Sequence, residues 1–120
     1  MTTSSIARAY IDAVGSHDLA PLDTLLADSL DALFAGGHLD KAGWIAALQR
    51  LLPVLVRNDI REVFVDGDRA CVVYDFVTDT PVGAVTCVEL LTVSEGQITS
   101  IELLLDRVAF APVNAALAER

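Results

Sequence analysis

Basic residues are scarce in this 120-residue chain: one lysine, Lys41, and seven scattered arginines stand against 17 acids, for a net charge of -9. That deficit excludes nucleic acid and anionic membrane as partners, because phosphate binding needs clustered Lys and Arg. Histidine is limited to His17 and His38, without helical spacing between them, so no metal site is expected. Cysteine is limited to Cys71 and Cys87, which form no CxxC motif and lie in apolar strand-like stretches. Two reduced thiols are expected rather than a disulfide. There is no Gly-rich phosphate loop and no nicotinamide fingerprint, so no cofactor is implied. No apolar run approaches the roughly 20 residues that cross a bilayer. The start, Met1-Thr2-Thr3-Ser4-Ser5-Ile6, has no basic region followed by an apolar one, and a cytoplasmic location is expected. Internal repeats, linkers and low-complexity segments are also missing.

What the chain does have is apolar material: 53% of residues are hydrophobic and 21% charged. That is enough for one domain over 1–120 with a real core, and it excludes disorder. Ser4 to Ser16 reads as a helix, with Ile6, Ala9, Tyr10, Ala13 and Val14 on one stripe. Asp18 fits the N-cap of a short second helix, and Leu30 to Phe34 a short strand ended by Gly36-Gly37. A third helix follows Asp40, carries Trp44, Ile45, Leu48, Leu51 and Leu52 inward, and ends at Pro53.

After Pro53 the apolar period changes to two. Val54 to Val65, Arg69 to Thr78, Thr80 or Gly83 to Val93, and Gln97 to Leu105 read as strands separated by turn residues. Such short connections make them antiparallel neighbours. Asp106 can cap a final turn, and Pro112 can open a short helix through Leu117. Helices first and a meander second give an α+β fold, with the helices on one face of an antiparallel sheet. Both faces of the strands are apolar, so a second subunit covering the other face is expected, burying Leu90, Leu104 and Val88.

This order of elements resembles the nuclear transport factor two-like superfamily, and within it the SnoaL-like polyketide cyclases, ketosteroid isomerases and limonene-epoxide hydrolases. The marks are Tyr10-Ile11-Asp12-Ala13 through His17-Asp18-Leu19, Leu26-Ala27-Asp28, and Val65-Asp66-Gly67-Asp68-Arg69-Ala70. Glu95-Gly96-Gln97-Ile98, leading to Asp106 and Phe110, is a further one. The resemblance implies a cone: a curved sheet wrapped around the helices, with a pocket open at one end. Isomerases of the superfamily use a base on the first short strand, a helix-one Tyr and a protonated acid of the sheet. The Tyr matches Tyr10 and the acid Glu89, but the base position falls at or near Phe34. The epoxide hydrolases use an Asp–Arg–Asp set. One Asp matches Asp75, while the Arg position reads Val73 and the second Asp falls near Leu103. Neither mechanism transfers intact.

Turn geometry gives a separate estimate of the pocket face. A three-residue loop at Ser94-Glu95-Gly96 would pair Val93 with Gln97, Leu91 with Thr99, Glu89 with Ile101, Cys87 with Leu103 and Val85 with Leu105. Glu89 then projects among Leu91, Ile101, Leu103, Leu105 and Cys87, near Tyr10, where desolvation should raise its pKa. The loop at Asp79-Thr80-Pro81 fixes no unique register. If odd positions share a face, Asp75 joins Glu89 inside; a slip by one turns Tyr74 inward and Asp75 outward. The adopted reading places Asp75 inside. The candidate catalytic residues are thus Glu89, Asp75 and Tyr10, with Phe34, Trp44, Val73, Cys87, Leu91, Ile101, Leu103 and Leu105 as pocket wall. Each candidate also has a plain structural role: Tyr10 as a core residue, Glu89 as a rim acid paired with Arg107 or Arg69. Two functions compete: acid–base isomerisation, cyclisation or (de)hydration of a small apolar molecule, and a non-catalytic ligand-binding or dimerisation module.

Overall fold

Thr2, not Ser4, opens the first helix: its hydroxyl oxygen accepts the Ser5 N–H at 3.0 Å. The computed structural model describes residues 1–120 and begins with α1 (Thr3–Gly15), α2 (Leu22–Leu25), β1 (Leu26–Phe34) and β2 (Gly37–Leu39). It continues with α3 (Lys41–Leu51), β3 (Leu55–Asp66), β4 (Arg69–Thr78), β5 (Ala84–Ser94), β6 (Gln97–Leu105) and α4 (Arg107–Ala118). Asp40 caps α3 by accepting the Gly43 N–H at 2.8 Å. Asp106 caps α4 through the N–H groups of Val108 and Ala109.

The strands form one open, curved sheet in the order β2-β1-β6-β5-β4-β3. Every pairing is antiparallel except β1 with β6. α1 packs against β3 to β6 and α3 against β1, which makes the architecture α+β with helices on the concave face. The core is a continuous apolar cluster that includes Ile6, Tyr10, Leu26, Trp44, Val72, Leu91 and Ile101.

Several elements differ from the sequence reading. β1 starts four residues early, at Leu26, because a register irregularity between Leu26 and Asp31 absorbs the polar Asp28-Ser29. The strand β2 follows a two-residue turn with Ala35 at φ 54° and Gly36 at φ 80°, so the glycines reverse the chain into a hairpin instead of ending the strand. Asp18 does not cap α2. It accepts the Ala20 N–H one turn earlier, and Pro21 stands at the helix start. Pro112 lies inside α4, which Asp106 has already begun, and does not open it.

The β5–β6 hairpin turns on two residues, Glu95 (φ 51°) and Gly96 (φ 79°), pairing Ser94 with Gln97. Continued unbroken, that register would set Glu89 beside Glu102. An irregularity between Thr92 and Val93 shifts it by one, and Glu89 faces Leu103, Leu91 faces Ile101 and Cys87 faces Leu105. The expected pairs are therefore displaced by two residues, which preserves which face each side chain occupies. In the β4–β5 hairpin, Val77 pairs with Ala84, so even positions of β4 share a face with odd positions of β5. Val72 lies opposite Glu89, and Tyr74 opposite Cys87.

Candidate functional site

A cavity of about 130 Å³ lies between the concave face of the sheet and helices α1, α3 and α4. Of its 18 lining residues 14 are hydrophobic, so a polar group inside is poorly solvated. α1 supplies Tyr10, Ile11 and Val14; α3 supplies Trp44, Ala47, Leu48, Arg50 and Leu51. The sheet contributes Phe34, Asn58, Tyr74, Phe76, Cys87, Glu89, Leu103 and Leu105, and α4 adds Phe110 and Asn114. Arg50 and Asn114 are the exposed members of this lining and mark its opening. Phe110 meets Phe76 edge-on, with ring centroids 5.8 Å apart, and so seats α4 on the sheet beside the cavity.

Glu89 is the single charged residue in the buried core, 3% exposed on β5. The Tyr74 hydroxyl donates to its Oε1. Its Oε2 is buried and has no hydrogen-bond partner. Tyr10 is fixed from behind: the Trp44 Nε1–H donates to its hydroxyl oxygen at 3.0 Å. Because Tyr10 accepts there, its own proton is left to give. Four elements thus meet at one point: Trp44 of α3 orients Tyr10 of α1 beside Glu89 of β5, whose Oε1 is held by Tyr74 of β4.

Burial dominates the electrostatics. It pushes the Glu89 carboxyl from its ordinary value of 4.5 up to about 7, with the hydroxyls of Tyr74 and Tyr10 acting to lower it. Near neutral pH the group is therefore divided between acid and carboxylate. Burial and the neighbouring Glu89 charge hold Tyr10 and Tyr74 well above the usual phenol range, so both remain protonated donors. The Cys87 thiol is raised to about 12, first by burial and then by Glu89, which makes it an inert wall residue rather than a nucleophile.

Of the residues expected at the site, Glu89 and Tyr10 come together at the cavity, and Phe34, Trp44, Cys87, Leu103 and Leu105 line it. Asp75 does not join them. The Val77–Ala84 pairing turns Asp75 to the opposite face, where Thr86 donates to it at 2.9 Å and an Arg61 nitrogen lies at 3.7 Å. Val73, opposite Val88, follows Asp75 out for the same reason. Leu91 and Ile101 do face inward, but they pair with each other in the packed core and lie outside the cavity lining. Neither Arg107 nor Arg69 pairs with Glu89; both are exposed. The strand parity that removes Asp75 brings in Tyr74, the outcome expected of a register slipped by one. Cys71 and Cys87 are free and fall on opposite faces of the sheet, Cys71 beside Leu90 and Cys87 beside Tyr74.

Chemically, a neutral Glu89 and the Tyr10 hydroxyl are two donors at an apolar site, an arrangement that stabilises negative charge developing on a bound oxygen. Once ionised, the same carboxyl is a proton acceptor. Phe34, at or near which the isomerase resemblance sets a base, lines the cavity with no titratable group, and Glu89 is the lining carboxyl held near neutrality.

The sequence profile of the SnoaL-like domain matches residues 7–101. Among solved structures, a Kribbella flavida protein is 26% identical, with a TM-score of 0.83 over 97% of this chain and 96% of that one. An NTF2-like protein of unknown function from Mesorhizobium loti is also 26% identical, with a TM-score of 0.73 over 87% and 90% of the two chains. IdmH from Streptomyces antibioticus, a candidate polyketide cyclase, is 18% identical and matches in fold, with a TM-score of 0.78 over 96% and 99%. No curated protein sequence matches the chain. No helix is long and apolar enough to cross a membrane. With most of its length matched by the profile and its fold shared with these structures, the chain belongs to the SnoaL-like family of the nuclear transport factor two-like superfamily.

Proposed function

We propose that the protein is a cofactor-independent enzyme acting on a small, largely apolar carbonyl compound, with Glu89 moving a proton and Tyr10 holding the carbonyl oxygen. The observation that carries this reading is a buried carboxyl, shifted to about 7, whose Oε2 is unpartnered inside an apolar cavity. A pKa near the working pH serves proton transfer in both directions. Isomerisation, aldol-type cyclisation and dehydration or hydration all reduce to that transfer plus stabilisation of an oxyanion. The resemblance of the fold to a candidate polyketide cyclase agrees with this class of chemistry. A non-catalytic binding pocket is the second reading, supported by Phe34 at the expected base position.

Proton exchange separates the two without the natural substrate. Acetylnaphthalene is incubated with the protein in heavy water, and deuterium entry at its methyl group is followed by NMR. Acceleration by the wild type and its loss in Glu89→Gln is the result expected of the enzyme. Binding of the ketone without faster exchange supports the pocket alone.

We further propose a homodimer through the convex sheet face. Leu104 is 47% and Phe64 58% exposed there, beside the half-buried Val88, Leu90 and Val73. Such apolar surface favours a second copy. A monomer by sedimentation at micromolar concentration removes the proposal.

A further inference from the structure

Asn58 of β3 lines the cavity and carries a polar atom that nothing in the protein satisfies. Its Nδ2 donates to the Ile11 carbonyl of α1 at 3.2 Å. A carbonyl can only accept, so the amide is oriented with nitrogen toward the helix and oxygen away from it. That oxygen, Oδ1, is buried and has no hydrogen-bond partner. A buried acceptor left open is unfavourable, and proteins seldom retain one without a use. α1 and β3 are closely packed there: a Cβ on Gly15 would lie 2.8 Å from the Asn58 backbone nitrogen.

The sheet register sets the distance between Asn58 and Glu89. Glu89 stands opposite Val72 and Asn58 opposite Phe76, on the strands flanking β4. With about 3.3 Å per residue and about 4.8 Å between strands, their backbones are roughly 16 Å apart. Both side chains stand on the concave face, and its curvature brings their ends closer, to a gap on the order of 10 Å. The apolar wall between them includes Tyr74, Phe76 and Cys87.

We propose that Asn58 Oδ1 is a specificity determinant. The cavity takes a rigid apolar molecule with a carbonyl at Glu89 and Tyr10 and a hydroxyl or N–H donor at the opposite end, given to Asn58. The carbonyl half of this statement rests on the reading of Glu89 above; the donor half rests on Asn58 alone. A ligand without that donor leaves Oδ1 unpaired, which is how a built acceptor rejects analogues.

Three probes test it: acetylnaphthalene, the derivative with a hydroxyl on the far ring, and the methyl ether of that hydroxyl. Affinities and the Asn58 side-chain amide resonances are read together in NMR titrations of the whole chain. The hydroxyl compound should bind about tenfold more tightly than its ether, and it alone should move the Asn58 amide. In Asn58→Leu the three affinities should converge. Equal binding of hydroxyl compound and ether to the wild type overturns the proposal, as does an Asn58 amide that ignores the hydroxyl because an ordered water already holds Oδ1. If Glu89→Gln still weakens all three ketones alike, the reading of Glu89 survives that outcome. Failure of all three to bind overturns both. Should Asn58→Leu not fold, the wild-type titrations decide alone.

Discussion

Replacing Glu89 by Gln should yield a protein that gains stability relative to the wild type as the pH rises from 4.5 to 8. The two side chains have nearly the same shape, and the amide oxygen can still accept the Tyr74 hydroxyl proton. What the substitution removes is a titration. In the folded protein the carboxyl has a pKa of about 7, against 4.5 for its ordinary value. A raised folded pKa means that the native state binds the extra proton between those values. Its stability is thus fully retained below about 4.5 and is lost as the pH rises through about 7. At 1.36 kcal/mol per pH unit the loss is about 3 kcal/mol, on the order of a quarter to a half of a domain's net stability. Urea unfolding of both proteins, at one protein concentration and from pH 4.5 to 8, reads it directly. Subtracting the variant from the wild type cancels the pH dependence contributed by the rest of the acidic chain. The difference should change by about 3 kcal/mol across that window and flatten above it. A difference constant with pH would refute the desolvated acid and imply a carboxylate stabilised by donors.

Tyr74→Phe removes the proton donated to Glu89 Oε1, so the carboxyl should titrate above about 7, seen in its carbon resonance; an unchanged or lower value argues against that bond. Gly15→Ala should destabilise the protein in urea despite a helix-propensity gain of up to about 1 kcal/mol, because its Cβ would sit 2.8 Å from the Asn58 backbone nitrogen. A net gain there would mean that α1 and β3 part easily. Asp106→Ala leaves the Val108 and Ala109 N–H groups uncapped and should cost about 1 kcal/mol, with lost protection from hydrogen exchange confined to α4. Asp75→Asn, on the face away from the cavity, should leave probe affinity unchanged; a change greater than about threefold would return Asp75 to the site.

The fold was largely legible because its signals are local. The Asp40 cap, the Pro53 stop and the turns at Asp66-Gly67 and Glu95-Gly96 act within a few residues, and they bounded α3 and the meander closely. Elements with weak local signals escaped. β2 is three residues long with none of them buried, and the start of β1 is polar where its register breaks. Glu89 came out on the right face although its expected partner, Ile101, was wrong. The two-residue turn alone would have placed it beside Glu102, and the irregularity at Thr92–Val93 restored its alternation. A bulge leaves little mark in a sequence, because it depends on how the whole sheet must curve.

The site was half legible, and the missing half was written in strand β4. Its even positions, Val72, Tyr74, Phe76 and Thr78, carry no charge, whereas its odd positions include Arg69 and Asp75. An interior face selects the uncharged set, so composition alone favoured Tyr74 inward over Asp75. The Asp79-Thr80-Pro81 loop, which fixes no unique register, offered nothing to set against that composition. The Trp44–Tyr10 bond had no such signal. It joins residues 34 positions apart, on helices that meet only because both pack on one concave face. Nor could the unpartnered Asn58 oxygen have been read in advance, since it follows from the close approach of α1 and β3, where the amide nitrogen is taken by the Ile11 carbonyl. Turn chemistry and face parity identify which residues a fold turns inward. Whether an inward polar group is satisfied, as the Trp44 N–H is by Tyr10, or left open, as Glu89 and Asn58 each are on one oxygen, is decided only where separate elements converge, and the open atoms are the ones a ligand can use.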